Sequence, residues 1–166
     1  MRSILRRDSG VATVVDSVDT LSMAKHAPGN TPQKASATRQ RESILGSQEL
    51  VDFVATRDPG RAKKFYRDTL GLLLVSEDEF ALVFDAAGTM LRVTSVQELA
   101  AAKYTVLGWR VRDIVRTAKG LQKVHIILER YAGMQQDELG IWNSPSGAKV
   151  AWFKDPDGNT LSITQF

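Results

Sequence analysis

The chain has 166 residues, 22 Lys and Arg against 19 Asp and Glu for a net charge of +3, and no cysteine. Its length suits one domain of roughly 100 to 150 residues with an extension, and the missing thiols exclude disulfide scaffolds, thiolate zinc sites, iron–sulfur centres and cysteine nucleophiles. All the aromatic residues lie from Phe53 onward and the charge is spread without a basic cluster, so neither a core ahead of Phe53 nor a nucleic-acid partner is expected.

Residues 24–43 read AKHAPGNTPQKASATRQRES, without helical or strand periodicity, and a disordered extension is expected over residues 1–49. Arg2, Ile4, Leu5, Arg6 and Arg7 could open an amphipathic targeting peptide, but Asp8, Asp16 and Asp19 oppose it, and Met23 offers an alternative start. No stretch approaches the ~18 apolar residues of a membrane span, so the expectation is a cytoplasmic protein with no membrane partner.

The first module is expected over residues 50–96. Residues 50–56, LVDFVAT, read as a strand. Asp58 caps a helix with Pro59 in its first turn, Ala62, Phe65, Tyr66 and Leu70 form its apolar side, and Gly71 ends it. Strands follow at Leu72–Ser76, Phe80–Asp85 and Met90–Ser95, the last two joined by a hairpin-like turn at Ala86-Ala87-Gly88.

The second module, residues 104–166, repeats the order. Tyr104–Arg112 reads as a strand; Asp113 caps a helix over 114–122 with Ile114, Ala118 and Leu121 inward. Further strands are expected at Val124–Glu129, Lys149–Lys154 and Thr160–Gln165, with Gly140–Ser144 either an edge strand or a loop. Asp155-Pro156-Asp157-Gly158-Asn159 fits a tight turn better than a metal loop, because Pro fixes φ, Gly accepts unusual angles and Asp caps backbone N–H groups. One helix covers one face of each module's sheet. An α+β fold is expected, two βαβββ modules forming a curved, mostly antiparallel eight-stranded sheet with a concave pocket.

The phrases Asp58-Pro-Gly-Arg-Ala-Lys-Lys-Phe-Tyr66 with Thr69-Leu-Gly71, and Phe153-Lys-Asp-Pro-Asp-Gly-Asn-Thr-Leu-Ser162, resemble the paired modules of the vicinal oxygen chelate superfamily, which contains glyoxalases, extradiol dioxygenases and bleomycin-resistance proteins. Gly108-Trp109 and Asp137–Trp142 are similar to segments of small bacterial glyoxalase-like proteins. The resemblance implies a divalent metal held by His or Gln on the first strand, Glu on the fourth, His on the fifth and Glu on the eighth. Here those positions fall on Val51, Thr94 or Ser95, Val106 and Ser162. Valine has no lone pair and a hydroxyl is a poor ligand, so no metal and no other cofactor is expected. His26 belongs to the extension and His125 to the opening of the sixth strand.

Alternation places Phe53, Arg92, Thr94, Arg110, Trp152 and Ser162 on the side of the missing ligands, together with Val51, Ala55, Val106, Gly108, Val150, Thr160 and Thr164. Apolar surface, hydroxyls and two arginines suit a small hydrophobic, aromatic or anionic ligand. Trp109, of opposite parity, is expected against the second helix, and Trp142 in the core, over the pocket mouth or at a subunit contact. The first reading is therefore a metal-independent small-molecule binding protein. The alternatives are a lyase or isomerase with a rearranged site using Asp137, Glu138 or Glu129, and a purely structural or protein-binding domain. A homodimer that does not depend on residues 1–49 is expected under the first two.

Overall fold

The computed structural model describes residues 44–166. The extension expected over residues 1–49, with Met23 and His26, lies outside the described residues except for its end, where Gln48 N–H closes a turn on the Leu45 carbonyl at 3.0 Å.

The first module runs β1 (Val51–Thr56), α1 (Pro59–Lys63), a π-helical continuation (Lys64–Thr69), β2 (Leu73–Glu77), β3 (Ala81–Ala86) and β4 (Thr89–Ser95). The Asp58 side chain accepts from Arg61 N at 2.9 Å, as an N-cap should. At the other end Gly71 takes φ +77°, and Gly71 and Leu72 donate back to the carbonyls of Arg67 and Tyr66. The β3–β4 connection is the two-residue turn Ala87-Gly88, both at positive φ, so its twist matches the flanking strands.

The second module runs β5 (Thr105–Arg110), α2 (Ile114–Lys123), β6 (Trp142–Asn143), β7 (Lys149–Lys154) and β8 (Thr160–Gln165). The Asp113 side chain caps α2 through Arg116 N at 2.9 Å. Each module forms a four-stranded mixed sheet, in the orders β1-β4-β3-β2 and β5-β8-β7-β6, with β1 parallel to β4 and β5 parallel to β8. The expected βαβββ plan therefore holds twice, and β1 lies against β5 where the sheets meet.

The sixth strand expected over Val124–Glu129 does not form. The segment's one pairing is an isolated bridge between Leu128 and Phe153, and Trp142–Asn143 takes the sheet edge instead. The chain turns because α2 ends in a Schellman motif, with His125 N–H donating to Gln122 O and Ile126 N–H to Leu121 O, both at 3.0 Å. His125 occupies the left-handed position at φ +64°, where glycine has no steric cost. His125→Gly is expected to hold or raise stability by up to about 1 kcal/mol, and His125→Val to lower it by about 1–2 kcal/mol, as read by urea unfolding.

Tyr66, Phe84 and Leu91 of the first module and Ile114, Phe153 and Leu161 of the second are each at most 1 % exposed and belong to one core. The modules are also joined by a polar network around the Asp155–Asn159 turn. Asp155 accepts from Tyr66 OH (2.9 Å), Asn159 Nδ2 (2.8 Å) and the amides of Asp157 and Asn159 (2.9 Å each). Asp157 accepts from Thr56 Oγ1 at 2.5 Å and from Arg57 N at 3.2 Å, while Asn159 Nδ2 also donates to Ala55 O at 2.8 Å. The tight turn expected here is present, with Gly158 at φ +85°; in addition it ties the second module to the end of β1 and to the first helix.

Candidate functional site

Val54, Leu91 and Val93 point from the first sheet into the core, as do Ala151, Phe153, Leu161 and Ile163 from the second. Residues of the other parity occupy the opposite side of both sheets. On the first sheet Phe53 pairs with Arg92, and Ala55 with Thr94. On the second, Ser162 lies between Gly108 and Trp152, and Thr164 between Arg110 and Val150. Phe53, at 62 % exposure, and Val51, at 41 %, leave the β1 part of this face open.

Thr94 carries the feature that packing alone does not explain. Its hydroxyl is the one buried side-chain polar atom without a hydrogen-bond partner among the described residues. Such an atom costs about 1–3 kcal/mol unless something pairs with it. Arg92, two residues away on the same face, has no ion-pair partner within 4.0 Å among the described residues. Its charge acts weakly on Asp78, whose carboxyl is held below its ordinary value chiefly by the Ala81 and Phe80 amides. Arg92 and the exposed Phe53 ring thus share one patch, and the buried, unpaired Thr94 hydroxyl is on the same side of the sheet.

The second sheet contributes an aromatic group. Trp152 donates from Nε1 to Thr105 Oγ1 at 3.0 Å, meets Tyr131 edge-on at 5.5 Å between ring centres, and lies tilted against Trp142 at 6.0 Å. Trp142 therefore belongs to this face. Tyr131 was not among the expected site residues, and nothing in its loop composition singles it out. Burial, reinforced by the charge of Glu129, raises its phenol pKa.

Arg110 and Ser162 are placed differently from a simple wall. The Arg110 guanidinium lies 5.6 Å over the Phe166 ring, toward the chain end. Ser162 is 5 % exposed and its hydroxyl occupies the space a Gly108 side chain would need, 2.7 Å from where a Cβ would stand. Trp109, by contrast, stacks on Phe153 at 6.2 Å and borders a cleft with Thr117 and Leu121 of α2, on the core side as its parity implies.

The donor set does not fit the family's divalent metal. Val51 and Val106 have no lone pairs, the Ser162 hydroxyl is packed against Gly108, and among the described residues no group of three or more His, Asp or Glu side chains is arranged so that it could hold a metal ion. Of the acids considered for an alternative chemistry, Asp137 has its carboxylate engaged within its own loop, while Glu129 and Glu138 are held there through their backbone carbonyls. The Asp137 carboxylate accepts from the amides of Leu139 (2.9 Å) and Ile141 (2.8 Å), and Arg130 donates to the carbonyls of Asp137 and Glu138. Gln136 Nε2 donates to the carbonyls of Glu129 (2.9 Å) and Gly140 (2.7 Å), so this loop is fastened from within.

Residues 50–163 match the family model of the Glyoxalase/Bleomycin resistance protein/Dioxygenase superfamily. No curated protein matches the chain. Among solved structures, lactoylglutathione lyase from Agrobacterium tumefaciens is similar at 19 % identity and TM-score 0.58, over 73 % of this chain and 95 % of that one. A glyoxalase/bleomycin resistance protein/dioxygenase from Nocardioides is similar at 16 % identity and TM-score 0.57, over 75 % of this chain and 87 % of its own. The glyoxalase family protein from Enterococcus faecalis is similar at 19 % identity and TM-score 0.52, over 73 % and 98 %. Likeness at these identities concerns the fold. Among the described residues no helix is long and apolar enough to cross a membrane.

Proposed function

The chain belongs to the Glyoxalase/Bleomycin resistance protein/Dioxygenase superfamily, and on that premise we propose that it is a metal-independent binding protein for a small aromatic or anionic molecule, held on the side of its sheets that carries Phe53, Arg92 and Trp152. The observation that carries this reading is the unpartnered Thr94 hydroxyl beside Arg92 and Phe53. A carboxylate would pair with the guanidinium and, once the Thr94 side chain rotates its buried hydroxyl outward, accept from it, while its ring would lie against Phe53 or the Trp152 group. No step of a reaction is needed to account for these residues. The reading includes a cytoplasmic homodimer, since related single-domain chains commonly pair and the edge strand β2, with Leu73 and Val75 exposed, gains cover from a second copy.

A thermal-shift screen of aromatic carboxylates in chelator-containing buffer tests it. Ligand at about a hundred times its Kd adds about 2.7 kcal/mol of stability. Arg92→Gln and Trp152→Leu are each expected to weaken the best binder tenfold or more. Unchanged affinity in both variants, or no binder across the panel, contradicts the assignment.

A further inference from the structure

We propose that the chain carries a second small-molecule site, on the core side of the second sheet, that takes a neutral aromatic molecule of one or two rings. Leu70 and Leu72 at the end of the first helix, Trp109 and Val111, Leu121 of α2 and Phe153 enclose a cleft of about 220 Å³. Trp109 and Phe153 lie nearly parallel within it, at 23°.

The chemistry of the walls selects the occupant. Thr117 and Arg110 are the polar residues at the cleft. The Thr117 hydroxyl already donates to the Asp113 carbonyl at 2.8 Å, and the Arg110 guanidinium is turned over Phe166. A stable water needs two to four polar partners, which these walls do not supply, and a charged ligand would be desolvated without a counter-charge. An apolar cavity of about 150 Å³ is enough for benzene, so this cleft has room for a somewhat larger ring system.

The site is separate from the side that carries Phe53, Arg92 and Trp152. Trp109, Phe153 and Ile163 alternate along β5, β7 and β8 with Gly108, Trp152 and Ser162, so the two sets stand on opposite sides of the same strands. The inference does not rest on the binding function proposed above.

The test is ¹⁹F NMR of full-length protein carrying 5-fluorotryptophan, with indole as the probe and the three tryptophan signals assigned by single Trp→Phe substitutions. Indole is expected to shift the Trp109 signal saturably at millimolar concentration, independently of any response at Trp142 and Trp152, which report the opposite face of the sheet. Leu121→Phe, which fills the cleft, is expected to weaken that response at least tenfold; Leu72→Phe serves from the opposite wall should the first variant lose its fold by circular dichroism. No saturable Trp109 shift, a response confined to Trp142 and Trp152, or an unchanged Trp109 response in a folded cleft-filling variant overturns the proposal.

Discussion

Replacing Asp155 with alanine is expected to destabilise the protein by about 3–5 kcal/mol, the range for breaking a buried, hydrogen-bonded charge network. The carboxylate is 6 % exposed and accepts four hydrogen bonds, from Tyr66 OH, Asn159 Nδ2 and two backbone amides. Removing it leaves the Tyr66 hydroxyl without this acceptor in the core and frees the turn that holds Thr56 and Ala55. The loss reaches both modules, because Tyr66 comes from the first helix while the turn lies between β7 and β8. Urea unfolding should show a lower midpoint with an unchanged slope. A loss below about 1 kcal/mol would mean that the modules are held by apolar packing alone.

Alkaline pH is expected to attack the same joint. Burial, with the charge and hydrogen bond of Asp155 and the charge of Asp157, raises the Tyr66 phenol far above its ordinary pKa of 10.0. The folded chain then keeps a proton that the unfolded chain releases above pH 10, so the stabilising contribution is complete below that pH and declines as pH rises. The slope from this group approaches about 1.4 kcal/mol per pH unit above pH 10. Tyr66→Phe should cost about 1–3 kcal/mol at neutral pH and flatten the decline between pH 10 and 12. Parallel alkaline curves for the wild type and the variant would contradict the assignment.

Much of the fold was legible because short-range chemistry specified it. Asp58 with Pro59, Asp113 and Gly71 mark helix ends through groups that act within four residues, and they are found in those roles. The sixth strand failed for a physical reason. Ile126 and Leu128 are buried and Ile127 is 80 % exposed, so the alternation is real, but it reflects packing under a loop and not a ladder. His125 at positive φ sets that loop's direction, and a histidine gives no warning of it in the way a glycine would.

The candidate site was legible to the same depth. Strand parity puts Phe53, Arg92, Trp152 and Ser162 on one side of their strands, because a period of two survives an error at a strand end, but the pairing of Phe53 with Arg92 and of Trp152 with Ser162 comes from the register. Parity does not reveal that the Ser162 hydroxyl fills the space left by Gly108, that Arg110 turns toward Phe166, or that Tyr131 joins Trp152. Those depend on contacts between distant segments. The Thr56–Asp157 bond, spanning 101 residues, is of the same kind.

Elemental analysis of the native protein, purified without chelator, tests the central claim most directly. With valine, threonine and serine where a divalent ion would need nitrogen or carboxylate donors, the expected result is no transition metal in stoichiometric amount. One equivalent of such an ion, lost together with aromatic-carboxylate binding when chelator is added, would contradict it.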